Sequence, residues 1–112
     1  MYALTVRFIL KGSTDWSTIP DLMRQRAEIL YRNIPGLVSK AFLYDPENRE
    51  YGGNYVWRTK GDLEAFLSSE IFRAAKERLG EPKTLQVHRI EAYLDSGLVY
   101  NAVTRPVPSV AE

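Results

Sequence analysis

Residues 2–10 alternate between large apolar and mixed side chains, which is typical of a β-strand. One face carries the large apolar residues, namely Tyr2, Leu4, Val6, Phe8 and Leu10. The other face places Thr5 and Arg7 between Ala3 and Ile9. We therefore predict a strand with one face turned toward a core.

Apolar residues then recur at steps of three and four, the spacing of one buried helical stripe. They are Ile19, Leu22, Met23, Ala27, Leu30 and Ile34. Thr18 and Asp21 have the spacing of an N-terminal cap, and Pro20 is compatible with a first helical turn. We predict a helix that begins at this cap and ends before Pro35-Gly36.

A hairpin follows, with strands predicted over residues 37–44 and 51–58. The connecting residues 45–49 have turn chemistry, with Asp45 at the first position and Pro46 presetting φ at the second. The pattern therefore predicts two adjacent antiparallel strands.

A second helix is predicted from the capping pair Thr59 and Asp62 to Leu79, with Ser68-Ser69 as a candidate break. Glycine and proline close it before a fourth predicted strand over residues 84–94. The last part of the chain thus repeats the helix-then-strand order of the first.

The order β-α-β-β-α-β defines an α+β, ferredoxin-like split unit. We assign residues 1–95 to this domain and residues 96–112 to a C-terminal extension, either a tail or a dimer arm. Pro106 and Pro108 exclude a helix in the extension. Both sheet faces carry apolar residues, although helices can cover only one, so we predict that a second copy covers the other in a homodimer.

Composition narrows the class of protein. The 112 residues fit one domain, and the 45% hydrophobic content is globular. A net charge of +1 lacks the basic excess of a nucleic-acid-binding protein. Cysteine is absent, which excludes disulfides, thiolate catalysis and sulfur-based metal sites. No apolar run approaches a membrane span, and the opening YALTVRFIL lacks signal-peptide features, so we expect a cytoplasmic protein without membrane partners.

The junction Ile34-Pro35-Gly36-Leu37 and the block YGGNYVWRTKGDLEAFLSSEIFRAA resemble the dimeric α+β barrel superfamily. Within it, the likeness is to small YdhR-like monooxygenases and to antibiotic-biosynthesis-type monooxygenases, over residues 2–94. The resemblance implies a homodimer whose two sheets close a barrel, and a pocket between sheet and helices in each subunit. It also implies a small aromatic substrate and O₂ as reactants, with neither cofactor nor metal.

The haem-degrading branch of that superfamily uses an Asn on the first strand, a Trp ending the third and a His late in the second helix. The corresponding positions hold Thr5, Trp57 and Lys76. Because the histidine ligand has no counterpart, haem degradation is not expected. Quinone-forming members of the antibiotic-type branch surround a polycyclic phenol with Asn, Trp, Tyr and Arg groups. Here Trp57 matches, with Asn54 and Tyr55 beside it.

Trp57 and Tyr55 lie two apart on one strand and therefore share a face. Gly53 leaves a gap on that face. Two flat rings beside a gap predict a slot for a planar aromatic ligand. The alternative is that both rings fill the core beneath a helix.

Four polar residues complete the candidate site. Arg7 is a candidate anion stabiliser or, alternatively, the buried partner of Glu91. His88 is a candidate general base, since its ordinary pKa suits proton transfer near neutrality, or else a strand residue without a catalytic role. Asn54 is a candidate oxyanion donor although it alternates away from Trp57, and Thr5 is a candidate substrate contact through its family position.

These residues lead to three hypotheses of function. The first is a cofactor-independent monooxygenase that oxidises a polycyclic phenol or a related aromatic molecule inside a dry pocket. The second is a non-redox small-molecule-binding or isomerase-type protein on the same scaffold. The third is an interaction module whose residues 97–112 exchange between subunits.

Overall fold

The computed structural model describes residues 1–12 and 15–96 and the backbone of residues 98–101. The strands are β1 Tyr2–Ile9, β2 Leu37–Asp45, β3 Glu50–Trp57, β4 Thr84–Arg89, β5 Ala92–Asp95 and β6 Leu98–Asn101. The helices are α1 Ile19–Gln25, α2 Lys60–Leu67 and α3 Glu70–Leu79. A 3₁₀ turn, Trp16–Thr18, precedes α1, and a π-helical turn, Arg26–Leu30, follows it. Among the described helices, none has the length and apolar character needed to cross a bilayer.

Four strands form one antiparallel sheet in the order β2-β3-β1-β4. This order, with α1 between β1 and β2 and with α2 and α3 between β3 and β4, confirms the predicted ferredoxin-like α+β unit. β5 and β6 pair separately as a hairpin. The hairpin straddles the predicted start of the extension at residue 96, and residues 102–112 lie outside the described part of the chain.

The helices pack on one face of the sheet, which we call the helix face. The main core lies there and comprises Leu4, Val6, Phe8, Tyr31, Tyr55, Trp57, Leu63, Phe66 and Phe72. The even-numbered positions of β1 point into it, as the alternation predicts. Burial of each large apolar side chain contributes about 1.5–3 kcal/mol, so this cluster anchors the sheet to α2 and α3.

The opposite face of the sheet, which we call the open face, is not buried within the chain. Arg7 is exposed there and Ile9 keeps 49% of its surface accessible. The apolar residues on this face motivated the prediction of a homodimer. Within the described part of the chain, Tyr93 of β5 reaches one end of the face, where its hydroxyl lies 3.3 Å from Ser39 Oγ, while Arg7 and Ile9 at the other end stay exposed. Homodimerisation therefore stays a prediction.

The first helix differs from the predicted stripe. Ile19 and Met23 are buried, but Leu22 and Leu30 are 36% and 38% exposed. Leu22 lies in α1 before the π-helical turn, so the turn accounts for Leu30 alone: it inserts one residue and rotates the positions that follow. Tyr31 consequently reaches the core in place of Leu30.

The capping predictions have different outcomes in the two helices. The Thr18 side chain makes no cap hydrogen bond to α1. Instead Asp15 caps the preceding 3₁₀ turn, where its Oδ1 accepts from the Ser17 amide at 3.0 Å. Thr59 is confirmed as the cap of α2, since its Oγ1 accepts from the Asp62 amide at 3.0 Å.

The structure also tests the predicted helix break and the length of the predicted fourth strand. The break at Ser68-Ser69 is confirmed, and Ser69 caps α3 by accepting from the Phe72 amide at 3.3 Å. The predicted fourth strand is wrong in its length, because pairing with β1 stops at Arg89 and a new strand begins at Ala92.

Candidate functional site

Lys40 is the central polar side chain on the helix face. It lies on β2 opposite Tyr55 and is half-buried. Its Nζ is 3.4 Å from the ring centroid of Tyr31, 4.0 Å from that of Phe42 and 4.4 Å from that of Tyr55. We call these three rings with Lys40 the lysine enclosure. Among the described residues, no carboxylate pairs with Lys40.

A shift of register in β2 places Lys40 on this face. The pairing with β3 is irregular between Leu37 and Ser39, so Leu37 and Lys40 both face the helices. Unbroken alternation over residues 37–44 would instead place Leu37 on the face of Ala41. Leu37 lies on the helix face, opposite Trp57, because the bulge shifts the alternation by one residue.

Gly53 makes room for the lysine. A Cβ at this position would lie 2.8 Å from Lys40 Cε and 3.2 Å from Tyr55 Cε1. The predicted gap beside Tyr55 therefore exists, but the stem of Lys40 fills it. A ligand that enters this slot has to displace the lysine side chain.

Burial lowers the pKa of the Lys40 ammonium to about 6, and the positive charge of Arg26 acts in the same direction. The ring faces attract a cation and oppose this shift by roughly 0.5–2 kcal/mol. Desolvation of an ammonium costs several kcal/mol, so burial dominates. Lys40 is therefore mostly an uncharged amine at neutral pH, which is the form that accepts a proton.

A small cavity of about 20 Å³, which we call the inner cavity, lies between the sheet and α3. This is room for about one water molecule. Its polar walls comprise Arg26, Tyr31, Lys40, Tyr51, Tyr55 and Arg78. Burial raises the pKa of all three tyrosine hydroxyls, which stay protonated near neutral pH.

A second space, the outer groove, runs along the surface between the π-helical turn and β2. Its volume is about 200 Å³, and its walls include Ala27, Leu37, Val38 and Phe42. Tyr31 and Lys40 line both the outer groove and the inner cavity. The lysine enclosure thus stands between the two spaces.

The two predicted aromatic walls have different surroundings. Trp57 is fully buried and stacks on Tyr55, with centroids 6.0 Å apart and planes inclined by 14°. Trp57 packs against Phe66 within the core and does not line the inner cavity, whereas Tyr55 does. The Trp57 Nε1–H is buried without a hydrogen-bond partner among the described residues.

The four predicted polar residues lie on the open face, across the sheet from Trp57 and Tyr55. The register with β1 places His88 opposite Ala3 and Asn54 opposite Thr5. Thr5 Oγ1 donates to Asn54 Oδ1 at 3.0 Å. The structure therefore brings Thr5 and Asn54 together but separates both from the two aromatic rings.

Arg7 and His88 are also apart from the lysine enclosure. Arg7 borders a depression of about 240 Å³ on the open face, beside Asp45 and Glu50. The predicted pairing of Arg7 with Glu91 is wrong, because Glu91 forms an ion pair with Arg89. His88 is exposed on β4.

Sequence patterns gave little sign of Lys40 and Arg26. Lys40 interrupts the apolar run LVSKAFLY, which is the signal that could have identified it. Arg26 lies one position before Ala27 of the predicted stripe and reaches the cavity at the ordinary helical spacing of three residues from the buried Met23. Among the described residues, no group of three or more His, Asp or Glu side chains could hold a metal ion.

Comparison with solved structures places this fold among known ones. A protein of unknown function from Nitrosomonas europaea superimposes with a TM-score of 0.65 at 21% identity, covering 86% of this chain and 95% of that one. A structural-genomics protein named YJCS superimposes with a TM-score of 0.63 at 13% identity, and the match covers 80% of this chain and 97% of that one. A structure named antibiotic biosynthesis monooxygenase superimposes with a TM-score of 0.57 at 14% identity, and the match covers 79% of this chain and 94% of that one.

No family model and no curated protein matches the sequence. The structural likeness confirms the predicted ferredoxin-like α+β fold, while membership of the dimeric α+β barrel superfamily stays a prediction. The YdhR-like subtype stays a prediction.

Proposed function

We propose that the protein is a cofactor-independent monooxygenase that oxidises a small aromatic phenol at the lysine enclosure. The fold is shared with a structure named antibiotic biosynthesis monooxygenase, which supports this class of reaction. The single observation that carries the proposal is Lys40, a half-buried amine that faces three aromatic rings without a carboxylate partner.

The chemistry divides into proton transfer and oxidation. The neutral amine of Lys40 takes the proton of the phenol, and the charge of Arg26 stabilises the resulting anion. The anion gives one electron to O₂, and the two radicals combine at a ring carbon ortho or para to the phenol oxygen to form a hydroperoxide. One oxygen atom stays on that carbon as the carbonyl of a quinone, and the other leaves as water with the hydrogen of that carbon and the proton held by Lys40.

The other residues predicted from the sequence either shape the reaction space or lie at a separate site. Tyr55 forms a wall of the reaction space, while Trp57 holds Tyr55 in place by stacking. The open face carries a separate candidate site. It would use His88 as base and Arg7 as anion stabiliser, with Thr5 and Asn54 as substrate contacts. A homodimer formed through that face would enclose them.

Oxygen uptake without added cofactor tests the proposal, with a panel of anthrones and naphthols as substrates. We expect Lys40→Met to lower the rate by about 10²–10⁴-fold, the usual contribution of a general base. The matched control is Lys60→Met, because Lys60 is an exposed lysine on α2. His88→Ala separates the two sites, since loss of activity in that variant alone would place the chemistry on the open face.

The second candidate is a non-redox binding protein or isomerase. The small size of the inner cavity favours it, because about 20 Å³ leaves no room for O₂ beside a substrate unless side chains move. This candidate predicts saturable binding of the same compounds with no oxygen consumption by any of them.

A further inference from the structure

Two guanidinium groups give the walls of the inner cavity positive charge. Arg26 enters from the π-helical turn and Arg78 from α3, while Lys40, mostly a neutral amine, enters from β2. The three tyrosines of the walls are protonated and supply no negative charge. Among the described residues, no Asp or Glu lines either the inner cavity or the outer groove.

Arg26 also has an unused hydrogen-bond donor. Its Nε–H is buried and has no hydrogen-bond partner among the described residues. A buried donor of this kind normally finds an acceptor. The guanidinium fork matches a planar carboxylate, since two parallel hydrogen bonds can form.

The outer groove is suited to the apolar part of a ligand. Its walls include Leu37, Val38 and the ring of Phe42, with Arg32 as a further cation. Sites for drug-sized molecules span about 300–1,000 Å³, so a groove of 200 Å³ selects something smaller. One or two fused rings fit this size.

We propose that the ligand of this site is a mono- or bicyclic aromatic carboxylate, whose rings occupy the outer groove and whose carboxylate binds between Lys40 and Arg26. The inference rests on the proposed function for the location of the site, and it narrows the substrate from a polycyclic phenol to a small aromatic molecule. Because the carboxylate is already an anion, Lys40 binds it as an ammonium, so for this substrate Lys40 is an anion-binding group and not the general base.

Binding of an anion changes the protonation of the lysine. Lys40, which is mostly neutral in the free protein, gains a proton when a carboxylate lies beside it. The charged groups around it are Arg26, Arg78 and Arg32, all cations, and Glu28 of the same turn is exposed and lines neither space. Ligand binding near pH 7.5 should therefore take up close to one proton.

Titration calorimetry with 2-naphthoate and its neutral analogue 2-naphthamide tests this inference in the unmodified protein. We expect 2-naphthoate to bind at least tenfold more tightly. Its binding enthalpy should depend on the ionisation enthalpy of the buffer, in the sense of proton uptake. Equal affinities for the two probes, or no binding of either, would overturn the proposal.

Two variants locate the anion site. Lys40→Met should abolish proton uptake, and Arg26→Gln should remove most of the preference for 2-naphthoate. Lys60→Met should retain both properties. If 2-naphthoate binds with the same preference and the same proton uptake in Lys40→Met, the assignment is incorrect.

The two proposals fail in different ways. Preference for 2-naphthoate with no oxygen uptake on any phenol or aromatic carboxylate would remove the monooxygenase and leave the anion site. Oxygen uptake with neutral phenols and no preference for 2-naphthoate would support the monooxygenase and overturn the anion site.

Discussion

At the scale of single residues, Lys40 connects the stability of the fold to pH. Folding lowers its pKa from 10.5 to about 6, so between these values the unfolded chain binds a proton that the folded chain lacks. The contribution of Lys40 to the free energy of unfolding therefore rises with pH across this window, by up to about 1.4 kcal/mol per unit. Urea titrations at pH 6.5, 7.5 and 8.5 should show this rise in the wild type and in Lys60→Met, and not in Lys40→Met. Parallel curves for all three would contradict the assignment.

Gly53 controls the position of that lysine. A methyl group there would lie 2.8 Å from Lys40 Cε, and the flexible end of the lysine can move away. We expect Gly53→Ala to expel the amine from the rings, to return its pKa toward 10.5 and to cost about 1–3 kcal/mol of stability. NMR titration of the labelled lysine Cε measures the pKa. Gly61→Ala is the control, because its nearest neighbour is 3.8 Å away; an unchanged Lys40 pKa in Gly53→Ala would be inconsistent with this role.

At the scale of secondary-structure elements, sequence periodicity predicted the order of the six main elements and missed two local irregularities. The strand β1 and the cap at Thr59 follow from patterns that involve near neighbours alone. The bulge after Leu37 and the π-helical turn over Arg26–Leu30 depend on packing against the rest of the sheet. The bulge directly precedes Lys40, so strict alternation fails there, whereas the π-helical turn begins at Arg26 and displaces the positions after it, bringing Tyr31 to the core in place of Leu30.

The two threonines predicted as caps provide a direct comparison of elements. The Thr59 side chain accepts from the Asp62 amide and donates to its carboxylate, whereas Thr18 donates to the Asp15 carbonyl and leaves the amides of α1 uncapped. We expect Thr59→Ala to cost about 1 kcal/mol and Thr18→Ala clearly less. Chemical denaturation of both variants measures the difference. Equal costs would argue against Thr59 as the specific cap.

At the scale of the whole molecule, the sheet has one face covered by helices and one that the described part of the chain leaves largely exposed, with Tyr93 of β5 reaching it at Ser39. The open face carries small and apolar side chains such as Ala3, Ala41 and Ile9 along neighbouring strands. A face of this kind is suited to self-association about a two-fold axis. The lysine enclosure lies on the other side of the sheet, so each subunit of such a dimer would keep its own site.

We therefore expect the protein to sediment as a dimer at micromolar concentration, with twice the 12.8 kDa mass of one chain. Ala41→Glu should shift it to the monomer, because the interface would bury an unpaired carboxylate at a cost of several kcal/mol. Ala65→Glu is the matched control, since Ala65 is exposed on α2. A wild-type monomer at 100 μM, a concentration chosen as about a hundredfold above ordinary dimer dissociation constants, would rule out this interface. Equal dimerisation of both variants would place the interface elsewhere, because the carboxylate at residue 41 would then remain in water.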